Sequence, residues 1–246
     1  EAFYWQEGQH LALAYSDLPG LTAWLARLGV ALGGNHPLAL RLPFLLIGAL
    51  LPWLMLRMAA REFDARTGWL AGLLLMLLPL AGTLGVLALP DVPLLLASLL
   101  CLDAGARALR KVDASVAAEL ALGLVIGGLT HYRFAAVVAI GLLALLTLRE
   151  GRAALRSPLL WLAIALGALA WLPLLLWNLD NADAGLRFQL VDRHPWSFGW
   201  HGIYLGLMQL LPATPVLLVA FAIAGKRGLR LAENRPASCR ASIPAP

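Results

Sequence analysis

The sequence of 246 residues is 61% hydrophobic and only 13% charged, with a mean hydropathy of +0.78, whereas soluble domains carry about a quarter charged residues. This composition excludes an ordinary soluble domain and favours an all-α polytopic transmembrane bundle, because Leu, Ala and Gly dominate long apolar runs that lack the alternation of barrel strands. The net charge of +5 does not indicate nucleic-acid binding, because the basic residues lie in short clusters between apolar runs.

Residues 1–37 are too polar to cross a bilayer, and their pattern predicts two short helices lying on a membrane surface. This stretch holds the motifs Glu1-Ala-Phe-Tyr-Trp and Tyr15-Ser-Asp-Leu-Pro-Gly. Carboxylates beside aromatic rings above a membrane can take the proton of an acceptor hydroxyl or amine as a general base. The same composition is typical of an interfacial aromatic belt with solvated acids, and composition alone favours the belt.

Seven apolar runs bounded by charged residues predict a transmembrane core over residues 38–224. The predicted spans are 38–58, 67–88, 91–109, 115–130, 134–149, 158–177 and 203–224. The fourth and fifth are short, so an alternative is one broken or re-entrant element around residues 130–133. Residues 225–246 are polar and rich in proline, and they predict a cytoplasmic, disordered tail.

The basic residues divide unevenly between alternate loops, and this division predicts the orientation in the membrane. One set of loops holds 14 of the 19 basic residues: Arg57, Arg61, Arg66, Arg107, Arg110, Lys111, Arg149, Arg152, Arg156, Lys226, Arg227, Arg230, Arg235 and Arg240. Because Lys and Arg collect in cytoplasmic loops, this set is predicted to be cytoplasmic. Residues 1–37 and the loop over 178–202 are then extracytoplasmic.

A tight hairpin, Leu89-Pro90-Asp91-Val92-Pro93-Leu94, separates the second and third predicted spans on the extracytoplasmic side. Asp91 is predicted to lie at the N-terminal end of a helix, where a carboxylate caps free N–H groups and meets the positive end of the helix dipole. Capping is a sufficient structural explanation of this acid, so a functional role needs support from elsewhere.

The loop over residues 178–202 combines arginines with aromatic residues close to the predicted membrane surface. Arg187 and Arg193 suit a lipid phosphate, because a guanidinium presents a planar fork of donors. Simple anchoring to lipid headgroups explains the pattern equally well. His131 and Arg133 can add a further cation at the same surface, although a lone histidine at a helix hairpin is more often a hydrogen-bonded structural residue.

The order of these motifs resembles that of membrane glycosyltransferases of the protein-mannosyltransferase-like superfamily, whose members include lipid A aminoarabinose transferase and protein O-mannosyltransferases. The motifs concerned are Glu1-Ala-Phe-Tyr-Trp, Tyr15-Ser-Asp-Leu-Pro-Gly-Leu-Thr-Ala-Trp-Leu, Arg41-Leu-Pro, Pro90-Asp91-x-Pro93-Leu94, Trp177-Asn178, Phe188-Gln189 and Arg193-His194-Pro195-Trp196. Single motifs are weak signals, but their order on one membrane face is specific. Leu18 and Gly20 depart from the His and second Pro of the family's first-loop motif.

The resemblance implies the C-type glycosyltransferase fold and a hexosyl or pentosyl transfer with inversion at the anomeric carbon. The donor would be a polyprenyl-phosphate sugar, and the acceptor a lipid, glycan or protein outside the membrane. Glu1 and Asp91 would have catalytic roles, with the family's principal catalytic Asp immediately before Glu1. We therefore expect the sequence to be a fragment that lacks a first span and a C-terminal portion, and to be inactive alone.

The resemblance also suggests roles for the remaining candidates. Donor-phosphate binding is assigned to Arg187, Arg193, His131 and Arg133, and acceptor or loop support to Tyr4, Asp17, Gln189 and His194. The sequence has no zinc-type ligand cluster and indicates no certain cofactor, while family members differ in their use of a divalent metal. The implied location is the plasma (inner) membrane of a bacterium, with several spans in contact with membrane lipids.

Two other functions fit a polytopic membrane protein. A transporter or flippase of a lipid-linked sugar would have acids and broken helices near mid-bilayer, in two related halves. The sequence shows no internal repeat, and its acids within apolar runs, Asp103 and Glu119, lie nearer the predicted cytoplasmic ends. A purely structural subunit is disfavoured by the ordered motifs. We therefore expect a glycosyltransferase.

Overall fold

The computed structural model describes residues 1–78, 85–192, 200–208, 218–220 and 222–226. Within these ranges the chain forms helices joined by turns and contains no strand, in agreement with the predicted all-α class. The helices are α1 Ala2–Gln9, α2 Leu21–Gly33, α3 Pro37–Glu62, α4 Ala65–Leu77, α5 Asp91–Ala108, α6 Ala114–Gly128, α7 Phe134–Thr147, α8 Arg149–Ala154, α9 Pro158–Leu169, α10 Leu172–Asp180, α11 Ala184–Arg187 and α12 His201–Met208; a π-helical turn spans Phe188–Asp192.

The chain divides into two compact units. The first comprises residues 1–77 and 81–197, and the second comprises residues 78–80 and 198–246. The first unit contains α1 to α11 and every described candidate residue. The second contains α12, while residues 209–217 and 221 of the predicted seventh span and nearly all of the predicted tail lie outside the described residues.

Two stretches of the described chain are long and apolar enough to cross a membrane. They are α3, with 26 residues, and the stretch Pro158–Asp180, with 23 residues, which combines α9 and α10. These stretches contain the predicted spans 38–58 and 158–177. The predicted spans 91–109, 115–130 and 134–149 each coincide with a shorter or more charged helix, so their crossing of the membrane stays a prediction.

The ends of the helices follow local sequence signals. Pro37 and Pro158 begin α3 and α9, where the missing proline N–H costs nothing. The Asp113 side chain caps α6 by accepting the N–H of Val116 at 3.0 Å. The predicted span 67–88 is interrupted, because α4 ends at Leu77 shortly before Pro79 in the sequence. A residue before proline is disfavoured in the helical conformation, which accounts for the early end.

Small residues allow the helices of the first unit to approach closely. Helix α6 packs between α5 and α9, and α3 packs against α4 and α5. A Cβ added at Gly123 would lie 2.7 Å from the sulfur of Cys101, and one at Gly167 would lie 2.5 Å from the Cβ of Leu124. Such close contact between helices is typical of membrane bundles, where association depends on van der Waals packing.

The first unit has two ends of different character. At one end, three arginines join neighbouring helices to acids, namely Arg61 to Asp103, Arg107 to Glu119 and Arg110 to Glu62. We call it the arginine end. At the other end, which we call the loop end, residues 1–21, 85–91, 129–133 and 178–192 come together. Arg61, Arg107 and Arg110, three of the basic residues predicted to be cytoplasmic, thus lie at one end of the first unit, and the orientation in the membrane stays a prediction.

Candidate functional site

Glu1 joins the first segment to two other parts of the loop end. Its carboxylate accepts hydrogen bonds from Nε and Nη2 of Arg41 at 2.7 and 2.6 Å, and from the N–H of Ala88 at 2.9 Å. The hydrogen bonds from Arg41 and Ala88 outweigh partial burial and hold the pKa of Glu1 down at about 2. A carboxylate of this kind is a weak proton acceptor, so its contacts favour a positioning role. The predicted catalytic role stays a prediction.

Asp91 and Arg133, which the sequence analysis placed on the same surface, lie side by side. Asp91 is the first residue of α5, and its Oδ1 lies 3.7 Å from Nη1 of Arg133. The Asp91 and Arg133 side chains are 38% and 59% exposed. Because the contact is long and both groups reach solvent, a substrate can approach the carboxylate and the guanidinium together.

Hydrogen bonds within the turn between α6 and α7 hold the backbone of Arg133 in place. Thr130 is buried, and its hydroxyl donates to the carbonyl of Ile126 at 2.6 Å. His131 is only 4% exposed, and its Nδ1 accepts the N–H of Arg133 at 3.1 Å. This burial favours the structural alternative for His131 over direct contact with a phosphate. Its role in phosphate binding stays a prediction.

Asn178 joins three segments of the loop end, although no site role was predicted for it from the sequence. It is buried, its Nδ2 donates to the carbonyl of Leu174 at 2.9 Å and lies 3.3 Å from the Tyr132 hydroxyl, and its Oδ1 accepts the N–H of Leu186 at 2.8 Å. Burying an amide without hydrogen-bond partners would cost free energy. Because the partners of Asn178 lie in α10, the α6–α7 turn and α11, its hydrogen bonds hold these three segments together. The available signal was the Trp177-Asn178 motif itself.

The first segment packs directly on this arrangement. Gln189 Nε2 donates to the carbonyl of Asp17 at 2.8 Å, so two residues predicted to support the loops are indeed brought together. The N–H of Leu21 donates to the carbonyl of Leu129 at 3.0 Å. A Cβ added at Gly185 would lie 2.7 Å from the Tyr132 hydroxyl oxygen, so only glycine allows this approach. We call these contacts, with those of Asn178, the loop junction.

The remaining predicted residues are less closely tied to the junction. Arg187 is 72% exposed, and its Nε lies 3.9 Å from Oδ1 of Asp192. Tyr4 is half-buried and packs against an apolar cluster that includes Leu40 and Phe44. Arg193 and His194 lie outside the described residues. The loop end thus has two solvent-accessible guanidinium groups among the predicted site residues, those of Arg133 and Arg187.

An open cleft of about 470 Å³ lies between the first segment and the end of α10. Its lining consists of Phe3, Gln6, Glu7, His10, Ala12, Ala14, Tyr15, Ser16 and Trp177. Burial, with the charge and the hydrogen bond of Asp17, raises the pKa of Glu7 to about 8. Sequence reasoning missed Glu7, because its partner lies ten positions away across a turn.

The described part of the chain contains no group of three or more His, Cys, Asp or Glu residues that could hold a metal ion. Three acids of the loop end, Glu1, Asp91 and Asp192, instead lie beside arginines. The chemistry that the described residues can perform is proton transfer, anion binding and hydrogen bonding.

Comparisons with known proteins show which proteins the chain is similar to. A family model described as dolichyl-phosphate-mannose-protein mannosyltransferase matches residues 17–177. A curated relative, lipid A galacturonosyltransferase RgtD of Rhizobium johnstonii, is 30% identical over 199 residues, which are 80% of this chain and 41% of the relative. The chain thus spans less than half the length of that relative. No solved structure matches the chain.

Proposed function

The chain belongs to the dolichyl-phosphate-mannose-protein mannosyltransferase family, and we propose on that premise that it is part of a membrane glycosyltransferase using a polyprenyl-phosphate sugar. The acceptor is a lipid, glycan or protein at the extracytoplasmic surface. The curated relative is named for lipid A and a galacturonosyl group, so lipid A and galacturonic acid are the first acceptor and donor sugar to test. The proposal includes the C-type fold with about seven spans in this stretch, in a bacterial plasma membrane.

The observation that carries the proposal is the pairing of Asp91 with Arg133 at the loop end. The two side chains are exposed, 3.7 Å apart, and supported by a buried turn. The reaction needs this combination, since one group must accept a proton while a cation receives the charge of a leaving phosphate. At the arginine end, by contrast, the described acids Glu62, Asp103 and Glu119 are engaged by arginines that join helices.

The donor explains the position of the site at the end of the helices. A polyprenyl chain is too apolar to leave the bilayer, so its phosphate must be met at the membrane surface. Arg133 and Arg187 are solvent-accessible guanidinium groups at the loop end, and the planar fork of each suits a phosphate. Arg193 is proposed for the same role from its motif. His131 then acts through the hydrogen bond that its ring accepts from the Arg133 N–H.

The proposed reaction is a single inverting displacement. The acceptor oxygen or nitrogen forms a bond to the anomeric carbon while the bond from that carbon to the phosphate oxygen breaks, and the electron pair leaves with the phosphate. A carboxylate takes the acceptor proton. Asp91 supports this step because it is exposed, whereas Glu1 keeps the first segment in place through Arg41 and Ala88. Tyr4, Asp17, Gln189 and His194 support the acceptor or the loops.

The test uses the complete gene product in liposomes, with radiolabelled polyprenyl-phosphate sugar as donor and extracted lipid A as first acceptor. We expect Asp91→Asn to lower kcat about a hundredfold, and Arg133→Gln or Arg187→Gln to raise the donor KM about tenfold. Arg66→Gln, an exposed arginine beyond the loop end, is the matched control and should leave both constants unchanged.

The contrary outcomes are distinct. Movement of the labelled lipid across the bilayer without any transfer to an acceptor would identify a flippase instead of a transferase. Transfer with unchanged donor kinetics in both arginine variants would remove Arg133 and Arg187 from the phosphate site. A panel of acceptors and donor sugars in the same assay identifies the natural pair.

A further inference from the structure

Helix α3 has one face that the described helices leave largely exposed. Gly68 and Gly72 of α4 pack against another face of α3, around Leu56, and Leu51 packs into a cluster with residues of α5. The positions of the exposed face recur every three or four residues, which places them on one side of the helix. Their side chains are 38–65% exposed, and they are Leu38, Leu42, Leu46, Leu50 and Trp53.

The exposed face is nearly as long as the apolar core of a bilayer is thick. From Leu38 to Arg57 the helix rises about 28 Å, and the hydrocarbon core of a bilayer measures about 30 Å. Helix α3 is also one of the two described stretches that are long and apolar enough to cross a membrane. We therefore expect lipid chains to lie along this face, with Arg57 at the level of the headgroups at the arginine end.

Arg57 differs in its partners from Arg61, the next arginine along α3. Arg61 is engaged by Glu62 and Asp103. Arg57 is exposed, its Cζ lies 4.7 Å from the centroid of the Trp53 ring, and no acid of the described residues forms an ion pair with it. Contact with an aromatic ring stabilises a cation without neutralising its charge. The N–H donors of Arg57 therefore stay available for an anion.

The chemistry around Arg57 indicates which anion fits. The planar fork of a guanidinium matches a phosphate, and tryptophan is typical of the headgroup level of a membrane. The Trp53 ring also limits the freedom of the Arg57 side chain before a ligand arrives, which reduces the entropy lost on binding. A soluble anion would contact Arg57 alone, whereas a phospholipid contacts both Arg57 and the apolar face.

We propose that Trp53 and Arg57 bind the phosphate of an anionic phospholipid whose acyl chain lies along Leu46 and Leu50. An anionic headgroup is favoured because Arg66 and Lys111, both exposed, add positive charge at the same end. This site lies at the opposite end of the first unit from the proposed donor-phosphate site. It requires that α3 crosses the bilayer, and it does not depend on the proposed transfer reaction.

The test titrates the complete gene product in detergent micelles with phosphatidylglycerol and with phosphatidylcholine that carry identical acyl chains. The first headgroup is anionic, and the second has no net charge. We expect native mass spectrometry to give an affinity about fivefold higher for phosphatidylglycerol. Arg57→Gln should reduce this ratio to about twofold or less. Trp53→Leu, which keeps the face apolar, should lower the affinity for phosphatidylglycerol about threefold.

Arg66→Gln is the matched control, because it removes the same charge from an exposed arginine at the same end. It should leave the ratio nearly unchanged. Arg57→Lys keeps the charge without the planar fork and should retain about half of the preference. The double variant of Trp53→Leu and Arg57→Gln should lose less affinity than the product of the two single losses, because the two side chains form one site.

The contrary outcomes are separate from any failure of sugar transfer, because no donor is present. Equal binding of the two lipids by the natural sequence would overturn the proposal and indicate simple anchoring in the membrane. A loss of preference in Arg66→Gln as large as that in Arg57→Gln would also overturn it, because the attraction would then depend on total charge. Inorganic phosphate at about 50 mM should displace no more lipid than chloride of equal ionic strength. Displacement by phosphate alone would indicate a site for a soluble anion instead.

Discussion

The loop end and the arginine end of the first unit are both rich in polar groups, but these groups take different partners. At the arginine end, side chains pair with side chains of opposite charge on neighbouring helices, as Arg107 does with Glu119 at 2.6 Å. At the loop end, several side chains bind backbone groups of distant segments, as Gln189 does with the carbonyl of Asp17. The first arrangement joins helices, whereas the second folds loops over one another.

The difference shows why chemistry is expected at one end only. At the arginine end, Glu62, Asp103 and Glu119 form ion pairs between helices with three arginines. At the loop end, side-chain amides and hydroxyls such as those of Asn178 and Tyr15 form hydrogen bonds with backbone groups. The charged side chains of Asp91, Arg133 and Arg187 remain accessible to solvent. A site that must bind a phosphate and move a proton needs groups that are held in place but not neutralised.

The largest effect should follow the loss of the Asn178 amide. Asn178→Ala leaves the N–H of Leu186 and the carbonyl of Leu174 without the amide partner that each now has. We expect a loss of about 2–3 kcal/mol in the free energy of unfolding, because buried groups pay the full cost of desolvation. Denaturant titration in detergent micelles measures this change.

Asn181→Ala is the matched control. Asn181 lies one turn further along and is exposed, and its Nδ2 donates to the carbonyl of Trp177. Its loss should cost no more than about 0.5 kcal/mol. Similar values for the two variants would show that the junction does not hold the loop end together, and the contrast between the two ends would lose its basis.

An intermediate effect should follow the loss of the Glu1 carboxylate. Because the pKa of Glu1 is about 2 in the folded chain and 4.5 is its ordinary value, its stabilisation is complete above pH 4.5 and is lost as the pH falls towards 2. Glu1→Gln should therefore lower the melting temperature by about 3–5 °C at pH 6 and much less at pH 2.5. Thermal unfolding at both values measures the difference.

Glu150→Gln provides the control for Glu1, since Glu150 is an exposed acid on α8. It should leave the melting temperature unchanged at both pH values. A Glu1→Gln variant that melts like the natural sequence at pH 6 would contradict the role of Glu1 in docking the first segment. The loop end would then depend on the junction alone.

The sequence predicts the helices better than it predicts the contacts between loops. Apolar runs indicated α5 and α6 to within two residues at their ends, because bilayer-length hydrophobicity is a local property of the chain. The pairing of Asp91 with Arg133 was partly predictable, because the sequence placed both residues at the same predicted membrane surface. The partners of Glu1 and Asn178 were not predictable, because they depend on how distant segments fold over one another. Glu7 carried no motif, and only its burial beside Asp17 distinguishes it.

The smallest effect is expected at the arginine end, in the pair between Arg110 and Glu62. Two parallel hydrogen bonds of 2.7 Å join them, but the Arg110 side chain is 56% exposed. Solvent screening and the entropy of two long side chains offset most of the attraction in such pairs. Arg110→Gln should therefore lower the melting temperature by less than about 2 °C, and about 1 M NaCl should abolish the difference by screening. Only a desolvated ion pair escapes screening by salt. If Arg110→Gln lowered the free energy of unfolding as much as Asn178→Ala does, and salt did not change this loss, ion pairs would stabilise the arginine end as strongly as the buried amide stabilises the loop end.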